Sequence, residues 1–218
     1  VDERGTDTVF EQLPSVLPIF PLPGVLLLPR GLLPLNIFEP RYLAMTRDAM
    51  EGDRLIGMVQ PADPAAPEPP PVFATGCAGQ ITSFAETPDR RFLITLTGLI
   101  RFVIRDELPL HNGYRRVVPD WTPFRQDLAP PEEAVIDRAR LERALRAYFK
   151  LHGLEADWDA VRQTPDDRLV TLLSMICPFS PSEKQALLEA RTLSERAATL
   201  LALVEIAALG GDRPGAPH

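Results

Sequence analysis

Lysine is nearly missing from this chain of 218 residues. Of 23 basic side chains only Lys150 and Lys184 are lysines, and neither ends a glycine–four residues–glycine–lysine frame, being preceded by Phe149 and Glu183. That excludes a loop wrapping nucleotide phosphates in backbone N–H groups and closing on a lysine. Cysteine is equally scarce: Cys77 and Cys177 stand far apart, as do the three histidines, His111, His152 and His218. Neither a disulfide framework nor the clustered ligands of a zinc site fits that distribution, and two buried thiols in a reducing compartment are expected. A surplus of positive charge is also lacking. The formal net charge of -7 argues against a dedicated nucleic-acid binder, which needs basic surface to displace counterions from phosphates. Nor is there a long unbroken apolar run. Val16–Leu28 is interrupted by Pro18, Pro21 and Pro23, so it cannot be a continuous helix and falls short of a membrane span. Residues 1–12 carry Asp2, Glu3, Asp7 and Glu11 against Arg4 alone, unlike the positively charged start of a secretory leader. With no targeting or anchoring signal visible, a cytoplasmic location is expected.

Proline, by contrast, is abundant: 24 residues, roughly twice the usual share. Between proline and glycine breaks, the first two thirds of the chain show short runs rich in Val, Ile, Leu and Phe. Strands are predicted over Val16–Phe20, Val25–Leu28, Leu55–Gln60, Gly79–Ala85, Arg91–Thr97, Leu99–Asp106 and Tyr114–Trp121. Thr87-Pro88-Asp89-Arg90 supplies turn chemistry between the fourth and fifth of these. One helix interrupts them. Pro40 occupies its first turn, Tyr42, Met45, Ala49 and Met50 recur at helical spacing, and Gly52 closes it. Pro61–Pro71 (PADPAAPEPPP) reads as an extended, mobile insertion between two strands.

From about Pro130 the period of the apolar residues changes from two to 3.6. Leu141, Ala144, Leu145, Tyr148 and Phe149 form one stripe. Leu169, Leu172, Leu173 and Ile176 form a second, and Ala197, Leu200, Leu201, Val204 and Ala208 a third. Thr164, Ser180 and Thr192 are each predicted to cap a helix, with Asp167, Glu183 and Glu195 three residues on. A helical bundle is expected here, with a frayed tail over Gly210–His218.

Catalytic constellations are hard to assemble from these residues. Ser180, Ser182 and Lys184 are the closest approach to a serine–lysine dyad, but Ser180 is needed as a cap and Lys184 is expected on a polar helix face. Glu132-Glu133 and Asp166-Asp167 sit at helix starts, where the macrodipole favours negative charge, and His152 sits at a helix end, where it favours a cation. Trp121 and Trp158 are expected as core anchors. A dispersed site joining a cysteine to a histidine is the weakest reading, and no cofactor is expected.

What is distinctive is Leu17-Pro18-Ile19-Phe20-Pro21-Leu22, then Leu28-Pro29-Arg30-Gly31, then Pro34-Leu35-Asn36-Ile37-Phe38-Glu39-Pro40-Arg41-Tyr42. These blocks closely resemble the opening of the Lon protease N-terminal (substrate-binding) domain family. The resemblance continues through Gly76–Phe84 and Gly98-Leu99-Ile100-Arg101-Phe102, and resumes at Glu183–Glu189 and Ser194-Glu195-Arg196. It implies an α+β fold: a PUA-like pseudo-barrel β-subdomain, with one inserted helix, over residues 13–128. An α-helical bundle subdomain follows over 129–209, with flexible ends at 1–12 and 210–218. In the full protease an ATPase and a serine–lysine peptidase domain follow. Here the chain ends, so a stand-alone, non-catalytic member is expected, and an inherited ATP-dependent peptidase label would overstate it.

The implied function is recognition of unfolded or extended polypeptide segments, or of a partner protein, in protein quality control. The alternative is an RNA-binding PUA-like module, which the acidic balance disfavours. Phe20, Ile37 and Phe38 are expected in the core. Arg41 is expected to reach carbonyls or a nearby carboxylate, Glu39 among them, through a bent strand-to-helix junction. The functional alternative makes Glu39, Arg41, Tyr42 and Arg101 the border of a substrate-binding groove.

Overall fold

The computed structural model describes residues 3–63, 65–66, 69–130 and 136–210. Expectations for residues 1–2, Glu132-Glu133, the tail beyond Gly210 and Pro64, Pro67 and Glu68 lie outside the described residues.

The β part is a six-stranded mixed sheet. Its strands are β1 (Leu17–Pro21), β2 (Leu32–Ile37), β3 (Leu55–Val59), β4 (Thr75–Glu86), β5 (Phe92–His111) and β6 (Tyr114–Asp120). Their order is β2-β5-β4-β3-β1-β6, and β6 also pairs with β5, so five strands close into a ring with β2 attached beside it. The long β5 makes closure possible. Its first part, from Phe92 to Thr97, pairs with β2, and its second part, from Val103 to His111, pairs with β6. Bulges in the β4–β5 and β5–β6 ladders bend the strands where the sheet must turn. This closed sheet is the expected pseudo-barrel.

Alternation along the strands sorts the side chains to two faces. Leu17, Ile19, Leu55, Val59, Ala78, Ile100, Phe102 and Val117 form one cluster inside the ring, joined by Trp121 and Phe124. The Phe102 ring fits because Gly57 and Gly76 carry no Cβ; one there would sit 2.8 and 2.6 Å from it. Burying such a ring is worth about 3–5 kcal/mol against alanine. The outer face, with Phe20, Met58, Cys77, Ile81 and Leu96, packs against the helices in a single second cluster. The β and helical parts therefore share one core.

Gly98 explains why two predicted strands are one. The chain at Leu28–Pro29 crosses β5 there so closely that a Cβ would stand 1.9 Å from the Leu28 carbonyl oxygen. Gly98 donates to Gly31 O (2.8 Å) and accepts from Arg30 N (2.7 Å), so the glycine marks a backbone crossing rather than a strand end.

Other expectations need correction. Val25–Leu28 is not a strand but a buried connection, with Leu26, Leu27 and Leu28 in the shared core. Strand β2 lies where none was predicted, because Pro34 hides an edge strand. Phe38 is 60% exposed rather than core, since it follows buried Ile37 on a strand end and alternation turns it outward. Residues 3–11, expected as a flexible end, form helix α1 (Glu3–Glu11), tied to the β part through Asp7 and Arg125 (2.6 Å). The proline-rich segment is pinned at its base by an Ala62 N–H to Pro71 O bond (2.8 Å) and by Arg115, which donates to Pro70 O (2.8 Å).

Helix α2 (Pro40–Glu51) starts at Pro40 and is closed by Gly52, as its sequence predicts. The C-terminal part contains α3 (Arg138–His152), α4 (Trp158–Gln163), α5 (Asp166–Ile176), α6 (Pro181–Glu189) and α7 (Leu193–Gly210). Ser180 and Glu183 form a full capping box. Thr192 caps Glu195 N, but the Glu195 carboxylate reaches Arg191 N instead of Thr192 N. Thr164 does not cap α5; its hydroxyl turns back to Ala160 O (2.7 Å). Asp137 and Asp157 cap α3 and α4. Lys184 is not on a polar face. It is buried, and its Nζ donates to Gly24 O (2.7 Å) and Met175 O (3.2 Å), tying α6 to the first loop. No helix among the described residues is long and apolar enough to cross a membrane.

Candidate binding grooves

The larger of two concavities, about 980 Å³, lies where the β and helical parts meet. Its walls are the Pro29–Leu32 corner, the end of the 3-10 segment Thr122–Leu128, helix α5, and the connection from α6 to α7. Gly31 permits the close approach at its base, since a Cβ there would stand 2.3 Å from Met175 Sδ on α5. Arg30 adopts φ +64, an uncommon conformation for a side chain of this size, and donates to Asp127 O (3.1 Å) and to Ala129 O across the groove.

Arg101 forms the back wall. Its Nη2 and Nε donate to the two carboxylate oxygens of Asp127 at 2.7 and 2.8 Å. Its Nη1 donates to Leu188 O (2.9 Å) and Ala190 O (2.5 Å), and its guanidinium lies 4.4 Å from the Phe124 ring centre. Beside it Arg196 donates to Leu187 O (2.9 Å). Burial, reinforced by the Arg101 charge, pushes the Arg196 pKa down to about 10. The guanidinium donors of Arg101 are thus taken up by the fold, and Arg196 is buried beside them.

The open side of this groove is apolar and cationic. Leu32, Leu172 and Ile176 line it at 65%, 51% and 58% exposure. Arg168 and Arg191 are also exposed on its rim, and neither side chain has an ion-pair partner among the described residues. This groove was not legible in the sequence. Leu172 and Ile176 belong to the apolar stripe of Leu169, Leu172, Leu173 and Ile176, of which only Leu169 and Leu173 are buried.

A second, smaller pocket of about 400 Å³ lies over the α2 start. Glu39, Arg41 and Tyr42 line it with Phe20, Leu110 and Tyr114. Arg41 Nε donates to Glu39 (3.0 Å), the bent-junction contact expected from the sequence, and its guanidinium lies 4.7 Å from the Tyr42 ring centre. Tyr42 in turn packs on Phe20, with ring centres 4.1 Å apart. Asp48 accepts from Tyr114 (2.8 Å) and Asn112 (3.0 Å), which holds the β5–β6 turn against α2. Burial first, and then Asp48, push the Tyr114 pKa up to about 12. The structure thus brings Glu39, Arg41 and Tyr42 together and places Arg101 at the other groove.

A closed β-ring joined through a shared core to a helical bundle, with a groove where the two meet, is an α+β architecture. The chain belongs to the ATP-dependent protease La (LON) substrate-binding domain family, whose profile matches residues 16–205. It is 26% identical over 199 residues to the Lon protease of Cytophaga hutchinsonii, covering 89% of this chain and 24% of that protein. It is 25% identical over 199 residues to that of Dictyoglomus thermophilum, covering 85% of this chain and 24% of that protein. The chain spans about a quarter of the length of these relatives. The fold is shared with the crystal structure of a Lon N-terminal domain protein from Xanthomonas campestris. That match has TM-score 0.57 and 24% identity, covering 87% of this chain and 98% of that one. It is also shared with the N-terminal domain of a Mycobacterium avium complex Lon protease, with TM-score 0.60 and 15% identity, covering 87% and 97%.

Proposed function

We propose that this chain is a non-catalytic module that binds unfolded or extended polypeptide segments, as a recognition element in protein quality control. The observation that carries the reading is the groove at the joint of the two parts. Three of the large apolar side chains that the fold leaves exposed, Leu32, Leu172 and Ile176, line that one concavity. Exposed apolar surface gathered in a groove is what an apolar segment of another chain would cover. Family membership supports the same reading, because the family is described as a substrate-binding domain.

Within it, Glu39, Arg41 and Tyr42 serve as a second contact surface around the smaller pocket. Arg101 acts by holding the back wall of the larger groove. Catalysis has no part in this reading: Ser180 is occupied as a helix cap, and Lys184 Nζ is bound to two carbonyls. The proposed place of action is the cytoplasm, in keeping with two free, buried cysteines. The test is titration of a permanently unfolded model polypeptide into the folded chain, followed by calorimetry. Saturable binding that is lost when the polypeptide is replaced by a folded protein is the expected result; no binding by a folded chain would refute the reading.

A further inference from the structure

We propose that the larger groove selects apolar segments that carry acidic residues beside their apolar ones. The inference rests on the polypeptide-binding reading and adds the chemical class of the ligand. Five arginines and two aspartates line the groove, a local surplus of positive charge on a chain whose formal net charge is -7. One aspartate, Asp127, is neutralised by Arg101 at 2.7 Å inside the wall. A third acid beside the groove, Glu195, accepts from Arg191 N (2.8 Å) and keeps its charge. The five arginines still outnumber Asp127, Asp167 and Glu195 by two, and the guanidinium groups of Arg168 and Arg191 stand exposed.

The placement of these two arginines matters as much as their number. Arg168 lies on α5 one turn before Leu172 and two before Ile176, so cation and apolar side chains follow each other along one helix edge. Arg191 lies across the groove, next to Thr192 and Leu193, which line the groove at the start of α7. A bound segment laying Leu or Phe on Leu32, Leu172 and Ile176 would bring its neighbouring side chains to these two cations. Complementary charge at such a rim confers selectivity and speeds encounter. The apolar floor favours a peptide over a nucleic acid, for which sugar and phosphate would have to cover leucine and isoleucine side chains.

The experiment compares short fluorescein-labelled peptides that share the same Leu and Phe positions and differ only in carrying glutamate, glutamine or lysine between them. A labelled single-stranded RNA oligonucleotide forms the fourth arm, and anisotropy gives each affinity. The glutamate peptide is expected to bind about tenfold more tightly than the lysine peptide, each exposed ion pair supplying up to about fivefold. The preference shrinks as salt rises from about 0.05 to about 0.5 M, because the pairs are exposed. In R168E/R191E, with unchanged circular dichroism, the order reverses; R168Q/R191Q removes the preference and leaves apolar binding. Equal binding of all three peptides would overturn the inference and leave the polypeptide reading standing. Failure of every peptide to bind would overturn both, and tighter binding of the RNA would replace the peptide with a nucleic acid as the ligand.

Discussion

Asp127 meets Arg101 in a two-pronged pair at 2.7 and 2.8 Å, with the side chains only 7% and 2% exposed. The same carboxylate also accepts the Arg101 backbone N–H at 3.0 Å. Strand β5, the 3-10 segment and the α6–α7 connection are thus joined through one guanidinium. A buried pair of this kind adds little over a well-packed apolar pair, but breaking it leaves one charge without a partner. D127A is therefore expected to destabilise the chain by about 3–5 kcal/mol, measured by urea unfolding. The double variant R101M/D127L should be less destabilised than D127A alone. If the double variant is the worse of the two, the pair contributes more than desolvation arithmetic allows.

The crossing at Gly98 makes a second prediction. A Cβ there would meet the Leu28 carbonyl oxygen at 1.9 Å, and backbone cannot swing aside as a flexible side chain does. G98A should cost about 1–3 kcal/mol or more, the usual range for overpacking. G52A is the control: its nearest atom would be 3.6 Å away, and its stability should change by no more than about 1 kcal/mol. Equal urea midpoints for the two variants would show that the crossing is less tight than described.

What the sequence revealed depended on how local the physics was. Pro40, Gly52 and the Ser180–Glu183 box act within one helical turn, so their roles could be read directly. The Arg41–Glu39 contact spans two residues and was readable for the same reason. Arg101 and Asp127 are 26 residues apart, and nothing in either neighbourhood points to the other. Lys184 looked like a surface residue because its partners, Gly24 O and Met175 O, are backbone atoms of other segments. Leu172 and Ile176 share a stripe with buried Leu169 and Leu173, and helical periodicity marks an apolar face without saying what covers it. The larger groove was hidden by that same ambiguity.

Acid should weaken the fold through its exposed arginine–carboxylate pairs. Hydrogen bonds from Arg105 hold Asp120 below the usual carboxylate range, and those from Arg140 and Arg146 do the same for Glu205 and Glu142. Each carboxylate thus has a lower pKa folded than unfolded. Its contribution is complete above the ordinary range, near pH 4, and is lost as pH falls through the lowered folded value. The thermal midpoint should fall progressively from about pH 5 downward, and less steeply in about 1 M salt, which screens exposed pairs. A midpoint independent of pH across that window would remove these pairs from the stability of the fold.

Both thiols should be inert in the folded chain. Burial pushes the Cys177 pKa up to about 12 and the Cys77 pKa well above its ordinary value, so almost no thiolate exists near neutrality. An aromatic disulfide reagent at about pH 8 should therefore label neither cysteine until denaturant is added, after which both should react. Rapid labelling of either one in the native protein would contradict its burial.

The groove assignment can be separated from every other exposed apolar side chain by substitution. Leu172 and Ile176 are 51% and 58% exposed, and Phe38, over the α2 start and outside the groove, is 60% exposed. Replacing any of them by aspartate should change stability by only about 0.5 kcal/mol, as for most surface positions. L172D and I176D place a charge where an apolar segment would sit, and aspartate there would also oppose the acidic flanks of the favoured ligand. Each is expected to weaken unfolded-polypeptide binding by about tenfold or more, since a well-buried apolar contact is worth about 1.5–3 kcal/mol. F38D should bind as the parent does. If instead F38D loses binding while L172D and I176D keep it, the polypeptide is held at the strand-to-helix junction, and the larger groove is not its site.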